Sequence, residues 1–75
     1  MESFRINATL NNTNREVLVI PDECTDTSIF HLVIDGFEFC KLKYSESKYW
    51  ELAEEANISP EDIQELGRMI EAYYN

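Results

Sequence analysis

The sequence predicts an α+β domain in which a four-stranded antiparallel β-meander precedes a helical hairpin that packs on one face of the sheet. Two observations predict this fold. Apolar and polar residues alternate with the period of a strand through residues 1–44, and turn-forming residues interrupt the alternation. In residues 45–75, apolar residues recur at helical spacing in two segments with a short polar break between them. The chain has 75 residues, the length of one small domain.

The first two strands are predicted from this alternation and from an Asn-rich turn. Apolar residues occupy every second position of residues 4–10, as on a half-buried strand. Residues 11–14 include three Asn, a residue type that tolerates left-handed backbone angles, and so form the predicted turn. The second strand covers residues 16–20 and stops at Pro21, which cannot donate a hydrogen bond to a neighbouring strand. Residues 22–27 form a polar loop.

The third and fourth strands, residues 28–34 and 37–44, are joined by Asp35 and Gly36. An Asp-Gly pair between alternating apolar residues is a strong signal for a two-residue hairpin turn. This turn sets the register, with Ile34 opposite Phe37 and His31 opposite Cys40. The face expected under the helices carries Phe30, Leu32 and Ile34, with Lys41, Phe39 and Phe37 opposite them. The outer face carries Ile29, His31 and Val33 opposite Leu42, Cys40 and Glu38, and its apolar content fits plain surface or a homodimer interface.

Two helices are predicted after residue 44. In the first, Ser45 or Ser47 is the N-cap, and the buried positions are Tyr49, Leu52, Ala53 and Ala56. The second begins with Ser59 as N-cap and Pro60 at the first helical position. Its buried stripe consists of Ile63, Leu66, Gly67, Ile70 and Tyr74. Gly67 within that stripe indicates close packing against a neighbouring element, because a helix otherwise disfavours glycine.

The spacing of residues 52–66 resembles a helix-turn-helix, the common DNA-reading motif. Small residues precede a tight turn, and apolar residues follow it, as two crossing helices require. However, the helix that would enter the major groove begins with Glu61, Asp62 and Glu65, which repel phosphates. A DNA-binding regulator is therefore the alternative function, and a packed helical hairpin is the favoured interpretation of the spacing.

The composition is strongly acidic. Fifteen Asp and Glu against six Lys and Arg give a formal net charge of -9, and residues 45–75 contain eight of the acids with only Lys48 and Arg68. Such a charge repels nucleic acid and anionic membranes and attracts basic protein surfaces. There is no signal peptide pattern or membrane-spanning stretch, so we expect a location in the bacterial or host-cell cytosol, with Cys24 and Cys40 as free thiols.

The sequence favours a non-enzymatic protein without cofactor or metal. It has one histidine, His31, which the predicted register places opposite Cys40, and this pair is an ordinary occupant of a small sheet face as well as a candidate nucleophile and base. A phosphate-binding loop needs more glycine than Gly36 and Gly67 supply. No further metal ligands stand at suitable spacing.

The acids of the two predicted helices are either two solvated faces or one continuous negative surface around the turn. In size and charge, the protein resembles phage-encoded inhibitors of host nucleases, such as anti-restriction and anti-CRISPR proteins. The resemblance implies docking on a basic, nucleic-acid-binding surface of a partner, for example a nuclease, rather than on nucleic acid or membrane. A small structural or assembly subunit that dimerises through its sheet is a further alternative. The predicted partner-binding residues are Glu51, Glu54, Glu55, Glu61, Asp62 and Glu65, with Trp50 and Tyr73 as aromatic anchors.

Overall fold

The computed structural model describes residues 2–22, 28–44 and 49–74. Its elements are β1 (Phe4–Leu10), β2 (Thr13–Asp22), β3 (Ile29–Ile34), β4 (Phe37–Tyr44), β5 (Trp50–Leu52) and α1 (Pro60–Tyr74). The strands form one antiparallel sheet in the order β1-β2-β3-β4-β5, which curls into a half-barrel. The class is α+β as predicted, but the described residues contain a fifth strand and one helix, so the predicted four-stranded meander with a helical hairpin is wrong.

Two tight turns build the first four strands. Asn11 and Asn12 connect β1 to β2 with φ angles of 51° and 62°. Asp35 and Gly36 connect β3 to β4 with φ angles of 52° and 84°. Positive φ at both central residues is the geometry that suits the twist of a two-residue hairpin, and Asn, Asp and Gly adopt it at the lowest cost. The Asp-Gly hairpin is confirmed, whereas the Asn turn is shorter than predicted. Strand β2 is longer at both ends, since it starts at Thr13 and continues through Pro21 to Asp22, so the predicted stop at Pro21 is wrong. The rest of the predicted polar loop, residues 23–27, lies outside the described residues.

A β-bulge between Leu32 and Val33 changes the register of the second hairpin. Next to the turn, Ile34 faces Phe37 and Val33 faces Glu38, as predicted. Beyond the bulge, β4 is displaced by one residue relative to β3, because a bulge places two residues opposite one. The observed pairs there are Leu32 with Cys40, His31 with Lys41 and Phe30 with Leu42.

The displacement moves side chains of β4 from one face of the sheet to the other. Cys40 and Leu42, predicted on the outer face, are 5% and 0% exposed and belong to the core. Lys41 takes the outer position opposite His31. Phe30 and Leu32 are buried on the inner face, as predicted. The outer face is therefore more polar than the sequence indicated.

The segment predicted as the first helix forms strand β5 instead. Trp50 and Leu52 lie two residues apart and both contact the core, which is the side-chain period of a strand. Glu51 faces Lys43 of β4, and the Ala53 amide extends the pairing by donating to the Lys41 carbonyl at 2.8 Å. A helix of about two turns is only marginally stable alone, so this strand pairing and the burial of the indole outweigh the helical spacing. The predicted caps Ser45 and Ser47 lie outside the described residues, as does Cys24.

Helix α1 begins as the sequence predicts. The backbone amide of Asp62 donates to the Ser59 hydroxyl oxygen at 3.1 Å, which identifies Ser59 as the N-cap. Pro60 occupies the first helical position, where its missing amide hydrogen costs nothing. The buried residues are Ile63, Leu66, Gly67 and Ile70, whereas Tyr74, predicted with them, is 46% exposed.

The helix closes the mouth of the curled sheet, where it contacts both edge strands, β1 and β5. It runs antiparallel to β1, since Asp62 lies at Asn11 near the end of that strand and Tyr73 lies at Phe4 near its start. On the other side, the Gln64 side-chain amide donates to the Trp50 carbonyl at 3.0 Å. We call this boundary between α1 and the two edge strands the seam.

Candidate functional site

The eight predicted partner-binding residues do not form one surface. Because β5 replaces the first predicted helix, these residues lie in four different places. Trp50 is in the core, and Asp62, Glu65 and Tyr73 are in the seam. The others lie next to lysines of β4 (Glu51 and Glu54), in the connection after β5 (Glu55) and in the first turn of α1 (Glu61).

Trp50, predicted as a partner-binding anchor, is a core residue, and its side chain has little surface left for a partner. It is 6% exposed and contacts the rings of Phe30 and Tyr44 at centroid distances of 5.4 and 5.1 Å. Its indole lies against Gly67, where an added Cβ would come within 2.2 Å of the ring. The close packing predicted for Gly67 is confirmed, and its neighbour is this indole. The Trp50 Nε1 is buried without a hydrogen-bond partner among the described residues.

Tyr73 covers the start of β1. Its ring stacks on Phe4 at a centroid distance of 3.7 Å and an interplanar angle of 3°, and the side chain remains 55% exposed. It also meets Tyr74 edge-on at 5.3 Å. Tyr73 therefore has a packing role in the seam, and its exposed part lies at the opposite end of α1 from Glu61.

Asp62 and Glu65 close the seam along β1. The Asn11 amide donates to Asp62 Oδ2 at 3.2 Å. Glu65 pairs with Arg68 at 2.5 Å, and the hydrogen bond and the charge of Arg68 lower the pKa of Glu65, with a smaller contribution from the backbone of Thr9. The edge of a sheet exposes unpaired amides, and Asp62 accepts a hydrogen bond from one of them at the end of β1. A structural role thus accounts for both acids.

Glu51 and Glu54 lie beside lysines. Glu54 pairs with the Lys41 Nζ at 3.0 Å, and this hydrogen bond raises the pKa of Lys41. Glu51 is directly opposite Lys43 across the β4–β5 pairing, a position in which opposite charges attract. Glu54 therefore contributes less free negative charge than the sequence suggested, and Glu51 has a cation as its cross-strand neighbour.

Glu55 and Glu61 are exposed, and neither has an ion-pair partner in the part of the chain that the structure describes. They flank the same aromatic residue, since Phe39 lines a small cavity with Glu55 and a larger one with Glu61. Glu71 is likewise exposed and unpaired among the described residues, farther along α1. Among the exposed acids of residues 53–74, these three lack both an ion pair and a side-chain hydrogen bond in the described part of the chain.

The larger cavity is a groove of about 830 Å³ at the turn end of the sheet. Three segments meet there: the β1–β2 turn, the β3–β4 hairpin and the connection into α1. Phe37, predicted to lie under the helices, instead projects at the rim of this groove with 78% of its surface exposed. The apolar lining of the groove consists of Leu10, Ile34, Phe37, Phe39 and Ile58.

The outer face of the sheet holds a network of paired charges around His31. Its Nδ1 lies within hydrogen-bond distance of Glu38, and its Nε2 lies 3.2 Å from Asp22 Oδ2. The hydrogen bond with Glu38, followed by that with Asp22, raises the pKa of His31, and the same contact with His31 lowers the pKa of Glu38. Lys41 extends the network, because its Nζ lies 3.6 Å from Glu38 and also pairs with Glu54. Carboxylates at both ring nitrogens favour the imidazolium, which donates from each.

The predicted pairing of His31 with Cys40 is wrong, because the bulge places the two residues on opposite faces of the sheet. Cys40 is a buried free thiol, and its burial raises the pKa to about 12, so the reactive thiolate is disfavoured. Within residues 2–22, 28–44 and 49–74, no group of three or more His, Cys, Asp or Glu side chains is arranged to hold a metal ion. Over the same residues, no helix has both the length and the apolar character needed to cross a membrane.

Comparisons with models of protein families, with curated proteins and with solved structures found no match. Function is therefore inferred from the chemistry of the surface alone. Sequence reasoning selected Glu55 and Glu61 but missed Phe37 and the groove. The only local signal for Phe37 was its place directly after a tight turn, where a side chain has few neighbours to cover it.

Proposed function

We propose that this protein is a non-enzymatic binding module that docks on a basic surface of another protein through Glu55, Glu61 and the adjoining groove. By covering that surface, it would prevent the partner from holding nucleic acid. One observation carries the proposal. Four of the five described Lys and Arg residues are neutralised in ion pairs, whereas the exposed acids at the groove end have no such partner.

The mechanism is electrostatic attraction followed by burial of apolar surface. A net charge of -9 steers a basic partner from a distance, and a local cluster of unpaired carboxylates orients it on arrival. Paired carboxylates such as Glu65 and Glu54 contribute little to that orientation, because a neighbouring cation already occupies them. The apolar lining of the groove then supplies surface that excludes water from the contact.

The resemblance in size and charge to phage-encoded anti-restriction and anti-CRISPR proteins supports a nuclease or another nucleic-acid-binding protein as the partner. Such a partner implies action in the cytosol of a bacterium or host cell. The proposal includes no cofactor and no membrane contact. A DNA-binding regulator is not favoured, because the helix that would precede the recognition helix is replaced by β5.

The test compares two variants of equal net charge. One reverses the groove-end acids (Glu55→Lys with Glu61→Lys), and the other reverses two remote exposed acids (Glu2→Lys with Glu71→Lys). Immobilised protein is exposed to cell lysate, and bound proteins are released by increasing salt and identified by mass spectrometry. We expect a basic nucleic-acid-binding protein to bind the wild type and the remote variant and to be lost from the groove-end variant.

Competition separates the proposed mechanism from simple charge attraction. Added duplex DNA or RNA should displace this module from its partner, because both occupy the same basic surface. Equal loss of the partner from both charge variants would show that net charge alone explains binding. Direct binding of the module to duplex DNA at physiological salt would contradict the proposal in favour of a DNA-binding regulator. A concentration-dependent dimer that buries the outer sheet face, with no basic partner, would favour the assembly subunit.

A further inference from the structure

Among the described residues, Phe37 is far more exposed than the other large hydrophobic side chains. It is 78% exposed, whereas the other large exposed hydrophobics lie between 39% and 55%. Tyr73 and Tyr74 are partly covered by aromatic contacts, but no ring contact covers Phe37 within the described residues. Its side chain therefore adds little to folding. An exposed aromatic at the edge of a cavity is the arrangement that binding surfaces use for an anchor.

The groove beside Phe37 is large enough for side chains of a partner. Its volume of about 830 Å³ lies within the range of roughly 300 to 1,000 Å³ that is typical of ligand-binding clefts. The rings of Phe37 and Phe39 line one part of it, and polar groups of the β1–β2 turn and the α1 connection line another. The groove thus combines aromatic surface with hydrogen-bond acceptors.

The charge of the groove favours a cation. Glu61 lines it without an ion-pair partner in the described part of the chain, and Asp62 lines it while accepting a hydrogen bond from Asn11. The one cationic residue in the lining, Arg15, is paired with Asp35 at 3.3 Å. A bound cation would therefore meet unneutralised carboxylate charge.

We propose that the groove receives an arginine side chain of the basic partner, with the guanidinium over the ring of Phe37 and paired with Glu61. A planar guanidinium lies flat on an aromatic ring and binds a carboxylate through two parallel donors, whereas a lysine ammonium interacts with both only as a compact point charge. The aliphatic portion of the arginine suits the apolar lining of the groove. This assignment rests on the proposed function, because it specifies how the same surface recognises a basic partner.

The test uses two short probes of equal charge, an arginine tetrapeptide and a lysine tetrapeptide, each capped at both ends. Binding to the full chain is measured by NMR titration of backbone amides, which also shows that each variant remains folded. We expect the arginine peptide to shift groove amides such as those of Leu10, Phe37 and Ile58, and to bind at least threefold more tightly than the lysine peptide.

Two substitutions should weaken binding of the arginine peptide. Phe37→Ala is expected to lower its affinity about fivefold while leaving the weaker lysine peptide almost unchanged, since only the guanidinium uses the ring fully. Phe37→Tyr should restore the preference for arginine, because it restores an aromatic face. Glu61→Gln should weaken the binding of both peptides.

The matched controls are Tyr49→Ala, which removes another exposed ring, and Glu71→Gln, which removes another unpaired acid of α1. Neither control should change the preference for the arginine peptide over the lysine peptide.

The outcomes separate this assignment from the proposed function. If both peptides bind equally and Phe37→Ala has no effect, but Glu61→Gln weakens both, the arginine assignment is overturned and acidic docking stands. If neither peptide shifts groove amides at low salt, both are overturned.

Discussion

The outer face of the sheet and the helical side of the molecule are held together by different interactions. On the outer face, side-chain charges pair across strands, as in the network of His31 with Asp22, Glu38 and Lys41. On the helical side, apolar packing dominates, and Leu66 and Ile70 of α1 are fully buried. The outer face should therefore respond to pH, and the helical side to changes of side-chain volume.

The same difference separates the acids with a structural role from those that we propose for partner binding. Carboxylates on the outer face and in the seam already bind cations or backbone amides, so their removal affects folding. Glu55 and Glu61 lie outside both sets of interactions, so their removal should affect binding alone.

Gly67→Ala should destabilise the protein most. The new Cβ would lie 2.2 Å from the Trp50 ring, so the indole or the helix must move. Such overpacking costs about 3 kcal/mol, more than the roughly 1 kcal/mol that alanine gains over glycine in a helix. Urea unfolding followed by Trp50 fluorescence measures the change.

A double-mutant cycle with Trp50→Leu serves as the control for Gly67→Ala. The smaller side chain should remove most of the penalty, which identifies the indole as its cause. If Gly67→Ala alone were neutral or stabilising, packing at the seam would be looser than the structure indicates.

Asp62→Ala should lower the free energy of unfolding by about 1 kcal/mol, because the Asn11 amide loses its acceptor at the edge of β1. Thermal unfolding measures the loss, and amide hydrogen exchange should show faster exchange at Asn11. The matched control is Glu61→Ala, one residue earlier in the same helical turn. Equal destabilisation by both substitutions would mean that the hydrogen bond to Asn11 contributes nothing to the seam.

Stability should fall as the pH rises from 6 to 8.5, by no more than about 1 kcal/mol because the His31 pairs are partly exposed. The folded-state pKa of His31 is raised above the unfolded value, chiefly by its hydrogen bond with Glu38. Its contribution is therefore complete below about pH 6.5 and is lost as the pH rises through the folded pKa. Chemical unfolding at several pH values measures this slope.

His31→Gln should flatten the slope over the same pH range, since it removes the titrating group from the network. The groups that face His31 are Glu38 and Lys41 on β4 and Asp22 with Ile20 on β2. An unchanged slope in the variant would assign the pH dependence to other groups.

Glu55→Gln and Glu61→Gln should each change stability by less than about 0.5 kcal/mol, because these exposed side chains make no ion pair among the described residues. Thermal unfolding checks this, with Asp62→Ala as the positive reference. A larger loss from either substitution would place that acid among the structural carboxylates and weaken its assignment to partner binding.

Local sequence predicted the parts of the fold that short-range chemistry controls. Asp35 and Gly36 suit a two-residue turn wherever they occur between strands, and Ser59 with Pro60 starts a helix through contacts within one turn. The buried stripe of α1 followed from its spacing. For the same reason, the alternation in β1 was sufficient to place its core residues.

Long-range contacts decided the parts that the sequence did not predict. The pattern of residues 50–52 fits both a helix and a strand. These residues form a strand because the edge of β4 is open for pairing and because the Trp50 indole fits beside Gly67. The bulge at Leu32 and Val33 has no local marker, yet it reassigned Cys40 and separated it from His31. The groove could not be predicted, because three segments distant in sequence form it.

By itself, the sequence determined the α+β class, the Asp-Gly hairpin and the place of the Asn turn, the start of α1 with four of its five predicted buried positions, and the excess of negative charge. Each depends on residue type and on neighbours within a few positions. Only the tertiary structure decided which carboxylates are free, because an ion pair or an amide contact depends on which strand lies beside each acid. It left Glu55 and Glu61 exposed without an ion-pair partner among the described residues, and it placed Asp62, Glu65 and Trp50 where the fold closes.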